Sequence, residues 1–260
     1  MNSNNPFDKF EIPHLSNSSI SLFISNPPKW VLNYLYKIKS LVNAAMLRGT
    51  VTDHELGRQI QDPVSIAESI ERATKEFETT VKNLKAENNF EIDDDKESRE
   101  KNNLAKYLEL AIPHYENLGQ ANYQQKISYE PEWSPVPIIG YCDFTYQEGI
   151  VRDLKTTAKK PSEIPDSVNR QLSIYSAALD GYAPLVDYVV VNNSRQEVIT
   201  MQVNNVDKWL SQVKGAVISI QNLLSLGELN EITSIMYPDF SKWDWTEYEK
   251  IEAEKIWSIK

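Results

Sequence analysis

The sequence has little that could hold a soft metal or a disulfide framework. It contains one cysteine, Cys142, and three histidines, His14, His54 and His114, among its 260 residues. A single cysteine excludes a disulfide framework, a cysteine-rich zinc site and a four-cysteine iron–sulfur cluster within the chain. The three histidines are far apart in sequence, which argues against a histidine-rich zinc site.

Long apolar runs and nucleotide motifs are also missing from the sequence. No apolar run approaches the roughly 18 residues that a membrane span needs. The first residues do not combine a basic segment with an apolar core, so we expect no secretory signal. There is no Gly-x-x-x-x-Gly-Lys loop, which excludes an NTPase or helicase motor on this chain. We therefore expect a soluble cytoplasmic protein with no membrane partner, in the host cytoplasm if a phage encodes it.

The composition is that of a globular protein with an acidic surface. Hydrophobic residues make up 41% of the chain and aromatic residues 10%, which is enough for a real core. The formal net charge of −10 argues against binding nucleic acid by bulk electrostatics. However, residues 87–100 hold seven acids and two bases, whereas residues 29–48 hold four bases and no acid. The charge pattern predicts a narrow basic track on an otherwise acidic surface.

The order of the predicted elements indicates an α/β fold with a mixed central β-sheet flanked by helices. Residues 1–120 are expected to form a helical half, and residues 121–260 a sheet-containing core, within one structural domain. Helical periodicity and capping residues predict helices over residues 16–25, from residue 29, and over 43–60, 63–84, 103–118, 165–179 and 206–226. Strands are predicted over residues 121–129, 136–146, 149–155, 186–192 and 198–203. The acidic residues 87–100 are expected to form a solvated loop or frayed helix ends.

Two aspartates are predicted to meet on a hairpin. If residues 147–149 form a three-residue loop, with Gly149 in the position that needs a positive φ, then Asp143 lies directly opposite Asp153. Opposed carboxylates repel each other unless a cation lies between them. Lys155 shares the face of Asp153, while Leu154 points into the core. Oxygen ligands of this kind suit Mg²⁺ or Mn²⁺, although an Asp-x-Lys triplet alone would favour a surface salt bridge.

The following helix carries a second polar pair. Gln171 and Tyr175 are four residues apart, so they lie on one helical face. The helix follows the Lys155 strand after about ten residues, and we expect it to pack back on the sheet near the two aspartates. An amide and a phenol in that position could contact a phosphate or a base.

Together, these motifs resemble the PD-(D/E)XK nuclease superfamily, in particular its RecB-like exonuclease branch. The matching stretches are Gly-x-x-Asp at residues 140–143, Asp-Leu-Lys-Thr at residues 153–156 and Gln-x-x-x-Tyr at residues 171–175. The resemblance implies a restriction-endonuclease-like core in which Asp143 and Asp153 bind Mg²⁺ or Mn²⁺ and Lys155 is catalytic. It also implies that the Leu154 carbonyl completes the metal shell. Gln171, Tyr175 and Thr156 would then lie beside the substrate strand.

The family also places a metal ligand on a helix before the sheet, usually four residues after a glycine. The fourth residue after Gly49 is Asp53, whereas the family usually has a histidine or a glutamate as this ligand, and a histidine occurs one position later at His54. Successive helix residues point about 100° apart, so we expect only one of the two to face the metal. Arg48 is a candidate for binding a terminal or scissile phosphate, with a structural salt bridge as the alternative.

Some relatives carry an iron–sulfur cluster, for which this chain lacks the cysteines. Asn26 occupies the place of one of those cysteines, so we expect no cluster, and packing of Trp243 and Trp245 could join the chain ends instead.

The resemblance predicts a Mg²⁺- or Mn²⁺-dependent deoxyribonuclease, an exonuclease rather than an endonuclease. We expect it to be of a cluster-free type, with a phage as one source. Its partner would be single- or double-stranded DNA in replication, recombination or repair, with a homo-oligomer or a recombination protein as a further possible partner. The alternatives are a catalytically silent nuclease fold used for binding or assembly, and cleavage of RNA.

Overall fold

A computed structural model describes residues 5–242 and 244–258 of the chain. The N-terminal half is helical. Most of these helices begin where a polar side chain accepts a hydrogen bond from the first turn, at Ser16, Asn26, Asn43, Ser65 and Asp93. The helices are α1 (Pro6–Lys9), α2 (Asn17–Ser25), α3 (Pro27–Tyr34), α4 (Ala44–Gln61), α5 (Ile66–Ala86) and α6 (Asp94–Glu116).

Two expectations for this half were wrong. Pro63 precedes α5, because the helix begins at Ile66 after the Ser65 cap. The acidic segment 87–100 is not mainly a loop, since α6 already begins at Asp94. The Asp93 side chain caps that helix, and the acids of its first turn interact favourably with the positive end of the helix dipole.

The second half contains a five-stranded mixed sheet in the order β1-β2-β3-β4-β5, as expected from the order of elements. Strands β3 and β4 are parallel and the other neighbouring pairs are antiparallel. Helix α7 (Asp166–Ala178) forms the crossover between the two parallel strands. The strands are β1 (Asn122–Tyr129), β2 (Ile138–Tyr146), β3 (Ile150–Thr157), β4 (Ala183–Val191) and β5 (Gln196–Gln202).

Helices cover both faces of the sheet. The first core, on the side of α7 and α8 (Val206–Leu224), includes Cys142, Val151 and Val186. The second core, on the side of α4, α5 and α6, includes Phe144, Leu154 and Val189. Alternation along β3 therefore sends Val151 and Leu154 to opposite faces, as a strand requires.

The C-terminal segment contains two helices that the sequence patterns did not predict, α9 (Leu229–Ser234) and α10 (Glu247–Trp257). Polar contacts tie this segment to the start of α3. The Asn26 amide donates to the Asp244 carboxylate at 3.2 Å, and the Lys29 ammonium pairs with Glu249 at 2.9 Å. Trp245 is buried, while the prediction for Trp243 lies outside the described residues. None of the described helices has the length and apolarity to span a membrane.

Candidate active site

The β2–β3 hairpin has the expected register near its turn and opens beyond it. Backbone pairing runs from Tyr146–Ile150 to Phe144–Arg152. Continued by one position, this register would place Asp143 opposite Asp153 as expected, but the two strands form no backbone pair at that position. There the Asp143 carboxylate (Oδ2) accepts a hydrogen bond from the backbone N–H of Leu154 at 2.8 Å. A side chain thus takes the place of a backbone partner where the two strands separate.

Asp153 is fully buried and is held from two sides. Its Oδ2 lies 2.6 Å from the Lys155 ammonium, and its Oδ1 accepts a hydrogen bond from the Gln171 amide at 2.8 Å. The same amide donates to the Tyr175 hydroxyl at 3.0 Å. The predicted Gln171–Tyr175 pair therefore lies at the site, where it supports Asp153 from α7.

The structure explains why the Gly-x-x-Asp stretch begins with a glycine, Gly140. A Cβ atom built on Gly140 would lie 2.6 Å from Cε1 of the Tyr175 ring. Real Cβ contacts do not come this close, so a side chain here would displace the ring and the amide hydrogen-bonded to it. The glycine allows α7 to approach β2 closely enough for Gln171 to reach Asp153.

Helix α4 brings a third carboxylate to the site. Asp53 (Oδ2) accepts hydrogen bonds from the Tyr123 hydroxyl and the Gln124 amide, both at 2.9 Å. His54 points elsewhere: its Nδ1 lies 2.8 Å from the Glu76 carboxylate, and its side chain is 49% exposed. Of the two sequence candidates, Asp53 is the one that the fold places beside Asp143.

Burial and mutual repulsion disfavour negative charge on the three acids. The pKa of Asp143 is held well above its ordinary value by burial, and then by Asp153 and Asp53. Burial also raises the pKa of Asp53 by more than the Tyr123 hydroxyl lowers it. The pKa of Asp153 is raised by burial despite the neighbouring Lys155. Desolvation lowers the pKa of Lys155, but the two carboxylates outweigh it and the pKa lies above its ordinary value. Three acids thus share a desolvated space with one ammonium group.

The chemistry of these donors fits a hard divalent cation. The groups are carboxylate oxygens, which Mg²⁺ and Mn²⁺ prefer. One of them, Asp53 Oδ1, is buried without a hydrogen-bond partner among the described residues. With the side chains as they stand, no group of three His, Cys, Asp or Glu residues in the described part of the chain is arranged to hold a metal ion.

Arg48 and Thr156 lie at the neighbouring end of β3. The Arg48 guanidinium pairs with Glu100 at 2.9 Å and lies 4.1 Å from the centre of the Tyr107 ring. Its Nη1 is buried without a hydrogen-bond partner among the described residues. Arg48 and Thr156 both line one surface cleft. The structure therefore contains the salt bridge that was the alternative for Arg48, and the Nη1 of its guanidinium is enclosed by protein.

The sequence patterns missed Gln124, which contacts two of the acids. Its amide donates to Asp53 at 2.9 Å and to Asp143 Oδ1 at 3.3 Å. Neighbouring pairs in the β1–β2 ladder, Tyr123–Phe144 and Gln125–Cys142, place Gln124 opposite Asp143. An eight-residue connection joins β1 and β2 (residues 130–137), so no tight turn reveals this register from sequence.

A family model and one solved structure agree with this architecture. The family model described as the PD-(D/E)XK nuclease superfamily matches residues 14–225. No curated protein sequence matches the chain. A crystal structure of a candidate exonuclease from Eubacterium rectale is similar over 96% of this chain and 92% of its own, with a TM-score of 0.57 and 10% identity. The structure of SSO0001 aligns over 71% of this chain and 77% of its own, with a TM-score of 0.34 and 13% identity. At 10% identity, the first similarity concerns the fold alone.

Proposed function

Since this chain belongs to the PD-(D/E)XK nuclease superfamily, we propose that it is a Mg²⁺- or Mn²⁺-dependent deoxyribonuclease that acts as an exonuclease. The observation that carries this proposal lies where strands β2 and β3 separate. There the Asp143 carboxylate accepts a hydrogen bond from the backbone of Leu154, the residue between Asp153 and Lys155 in the sequence. Two acids on one pair of strands can hold a divalent metal, and the lysine beside them adds a positive charge, a combination that suits metal-assisted phosphodiester hydrolysis.

We propose Asp143, Asp153 and Asp53 as the metal ligands, with the carbonyl of Leu154 as a further oxygen donor. A divalent cation bound there would lower the pKa of a bound water and stabilise charge on the phosphate. Lys155, paired with Asp153 at 2.6 Å, is held at the site as an ammonium group. It can donate a hydrogen bond to the attacking water and offset charge that develops on the phosphate oxygens.

The substrate residues are proposed from their position around this centre. Gln171 and Tyr175 orient Asp153 and line the α7 side. Thr156 directly follows the lysine. Arg48 lines the same cleft, and we propose that its guanidinium binds a phosphate oxygen once the buried Nη1 is uncovered. We propose DNA as the substrate, in replication, recombination or repair. The RecB-like motifs and the name given to the Eubacterium rectale protein support the exonuclease assignment.

A catalytically silent binding or assembly protein is the second candidate. It is favoured by the Gln124 amide, which lies between two of the acids, and by the formal net charge of −10. Calorimetric titration with Mn²⁺ separates the two functions, because a protein that serves only in binding or assembly should take up no metal at these acids.

The test of catalysis is digestion of end-labelled single- and double-stranded DNA, with labelled RNA alongside, in Mg²⁺ or Mn²⁺. We expect Lys155→Ala to abolish cleavage while the circular dichroism spectrum and melting temperature stay those of a folded protein. Lys214→Ala removes the same group from an exposed position on α8 and should retain full activity. Equal cleavage by the Lys155→Ala variant and the unaltered protein would overturn the assignment.

A further inference from the structure

We propose that Gln124 is a positioning residue that takes the place of the cation in the metal-free protein. Its amide holds Asp53 and Asp143 together, and it must turn away when a divalent metal binds between them. This inference rests on the proposed metal site and adds a residue that the nuclease motifs do not contain.

The first support is the geometry of the contacts. One amide nitrogen carries two N–H donors, and here it reaches two carboxylates on different elements. It lies 2.9 Å from Asp53 Oδ2 on α4 and 3.3 Å from Asp143 Oδ1 on β2. The nitrogen therefore occupies the space between the two acids. Because an N–H group cannot coordinate a cation, the NH₂ group of this amide and a metal ion exclude each other from this position.

The second support is the backbone of Gln124, which has a φ of +52° within a strand. A residue other than glycine seldom adopts this left-handed conformation, and it persists where the surroundings demand it. The partner strand also turns at this level. Cys142 and Phe144 are two residues apart in β2, so in a regular strand their side chains would lie on the same face. Instead, Cys142 packs in the first core and Phe144 in the second. The irregular backbone thus lies at the one level of β1 and β2 where Gln124 faces Asp143.

The consequence is a shift in the balance between metal-free and metal-bound protein. In the metal-free state, the amide hydrogen bonds offset part of the repulsion between the two carboxylates. In the metal-bound state, the cation offsets that repulsion and the amide contributes little. Removal of the amide therefore destabilises the metal-free state more than the metal-bound state, and apparent metal affinity rises.

The test is calorimetric titration of Gln124→Ala with Mn²⁺, together with thermal unfolding in EDTA and in saturating Mn²⁺. We expect Mn²⁺ to bind about five- to a hundredfold more tightly, the range that corresponds to the loss of two hydrogen bonds from the metal-free state. We also expect the melting temperature to fall in EDTA by more than it falls in Mn²⁺. Gln125→Ala is the matched control, because the Gln125 amide group contacts Thr145 and not the acids. Its Mn²⁺ affinity should be unchanged.

A second variant distinguishes the effect of the Gln124 amide from the effect of its left-handed backbone conformation. Asparagine tolerates the left-handed conformation, but its side chain is too short to bridge both acids. Gln124→Asn should therefore also bind Mn²⁺ more tightly, and it keeps the test valid if the alanine variant does not fold. If the unaltered protein binds Mn²⁺ and these variants bind it equally or more weakly, the proposed role of Gln124 is wrong, but the proposed metal site is not. If the unaltered protein binds no Mn²⁺, both this role and the proposed metal site are wrong.

Discussion

The carboxylate of Asp143 accepts a hydrogen bond from the backbone N–H of Leu154 at 2.8 Å. This bond ties the first acid of the site to the strand that carries Asp153 and Lys155. It also gives Asp143 two separable roles, since hydrogen bonding needs only an acceptor oxygen, whereas metal binding needs the negative charge.

Replacement of Asp143 by asparagine separates those two roles. The asparagine oxygen can still accept from Leu154, and the loss of charge removes repulsion with Asp153 and Asp53. We expect the melting temperature in EDTA to be unchanged or higher, and DNA cleavage to fall at least about 100-fold, since a catalytic metal contributes several kcal/mol. Asp180→Asn, at an exposed residue after α7, is the control and should cleave normally. An active Asp143→Asn variant would exclude the carboxylate from catalysis.

If Asp53 is the metal ligand on α4, substitutions of Asp53 and of the adjacent His54 should affect Mn²⁺ binding very differently. Asp53 lies beside Asp143, bridged to it by Gln124, whereas His54 lies against Glu76. Calorimetry should show at least about tenfold weaker Mn²⁺ binding for Asp53→Asn, and a change below about twofold for His54→Ala. The reverse order of effects would make His54 the ligand.

Gly140→Ala tests the close approach of α7 to β2. The new Cβ would lie 2.6 Å from the Tyr175 ring, so the ring must shift and Gln171 must lose its contact with Asp153. We expect a loss of about 1–3 kcal/mol in the free energy of unfolding and a reduced cleavage rate. The same change at Gly215 on α8 meets open space and should stabilise the protein by about 0.5–1 kcal/mol. Chemical denaturation of both variants measures the contrast, and equal stability of the two would contradict the packing argument.

Asp187 lies away from the site, and we expect its carboxylate to make part of the free energy of unfolding depend on pH. Burial raises the pKa of Asp187, but hydrogen bonds from His114 and Thr200 and the charge of Arg152 outweigh it, so the pKa lies below its ordinary value. A carboxylate of this kind stabilises the fold above its unfolded pKa near 4, and the contribution is lost as the pH falls through the lower folded pKa.

We therefore expect Asp187→Asn to cost about 3–5 kcal/mol at pH 7, because the buried Arg152 loses its partner. The difference in unfolding free energy between the two proteins should shrink as the pH falls from about 5 to below 3. Denaturation curves across this range give the difference directly. A difference independent of pH would show that the Asp187 charge does not contribute.

The order and type of the main elements could be predicted because they follow from local patterns. Side-chain caps, helical spacing and the Gly149 turn act over a few residues, so they indicated α2 to α8, the five strands and the hairpin register from Tyr146–Ile150. The start of α6 escaped prediction, since a run of acids resembles a solvated loop unless the Asp93 cap is recognised. The nuclease resemblance depended on motifs that are likewise short, and the family match confirmed it.

The sequence by itself therefore determined the fold class and the superfamily, and it predicted the acids and the lysine that the β2–β3 hairpin brings together. The tertiary structure decided which of two neighbouring residues on α4 faces those acids, and that Gln124 lies between them. The physical reason is the range of the interactions. The rotation of α4 and the register of β1 are set by packing between segments that are about 20 to 70 residues apart along the chain. Local spacing carries no record of such contacts, so residues with unremarkable sequence surroundings can complete the site.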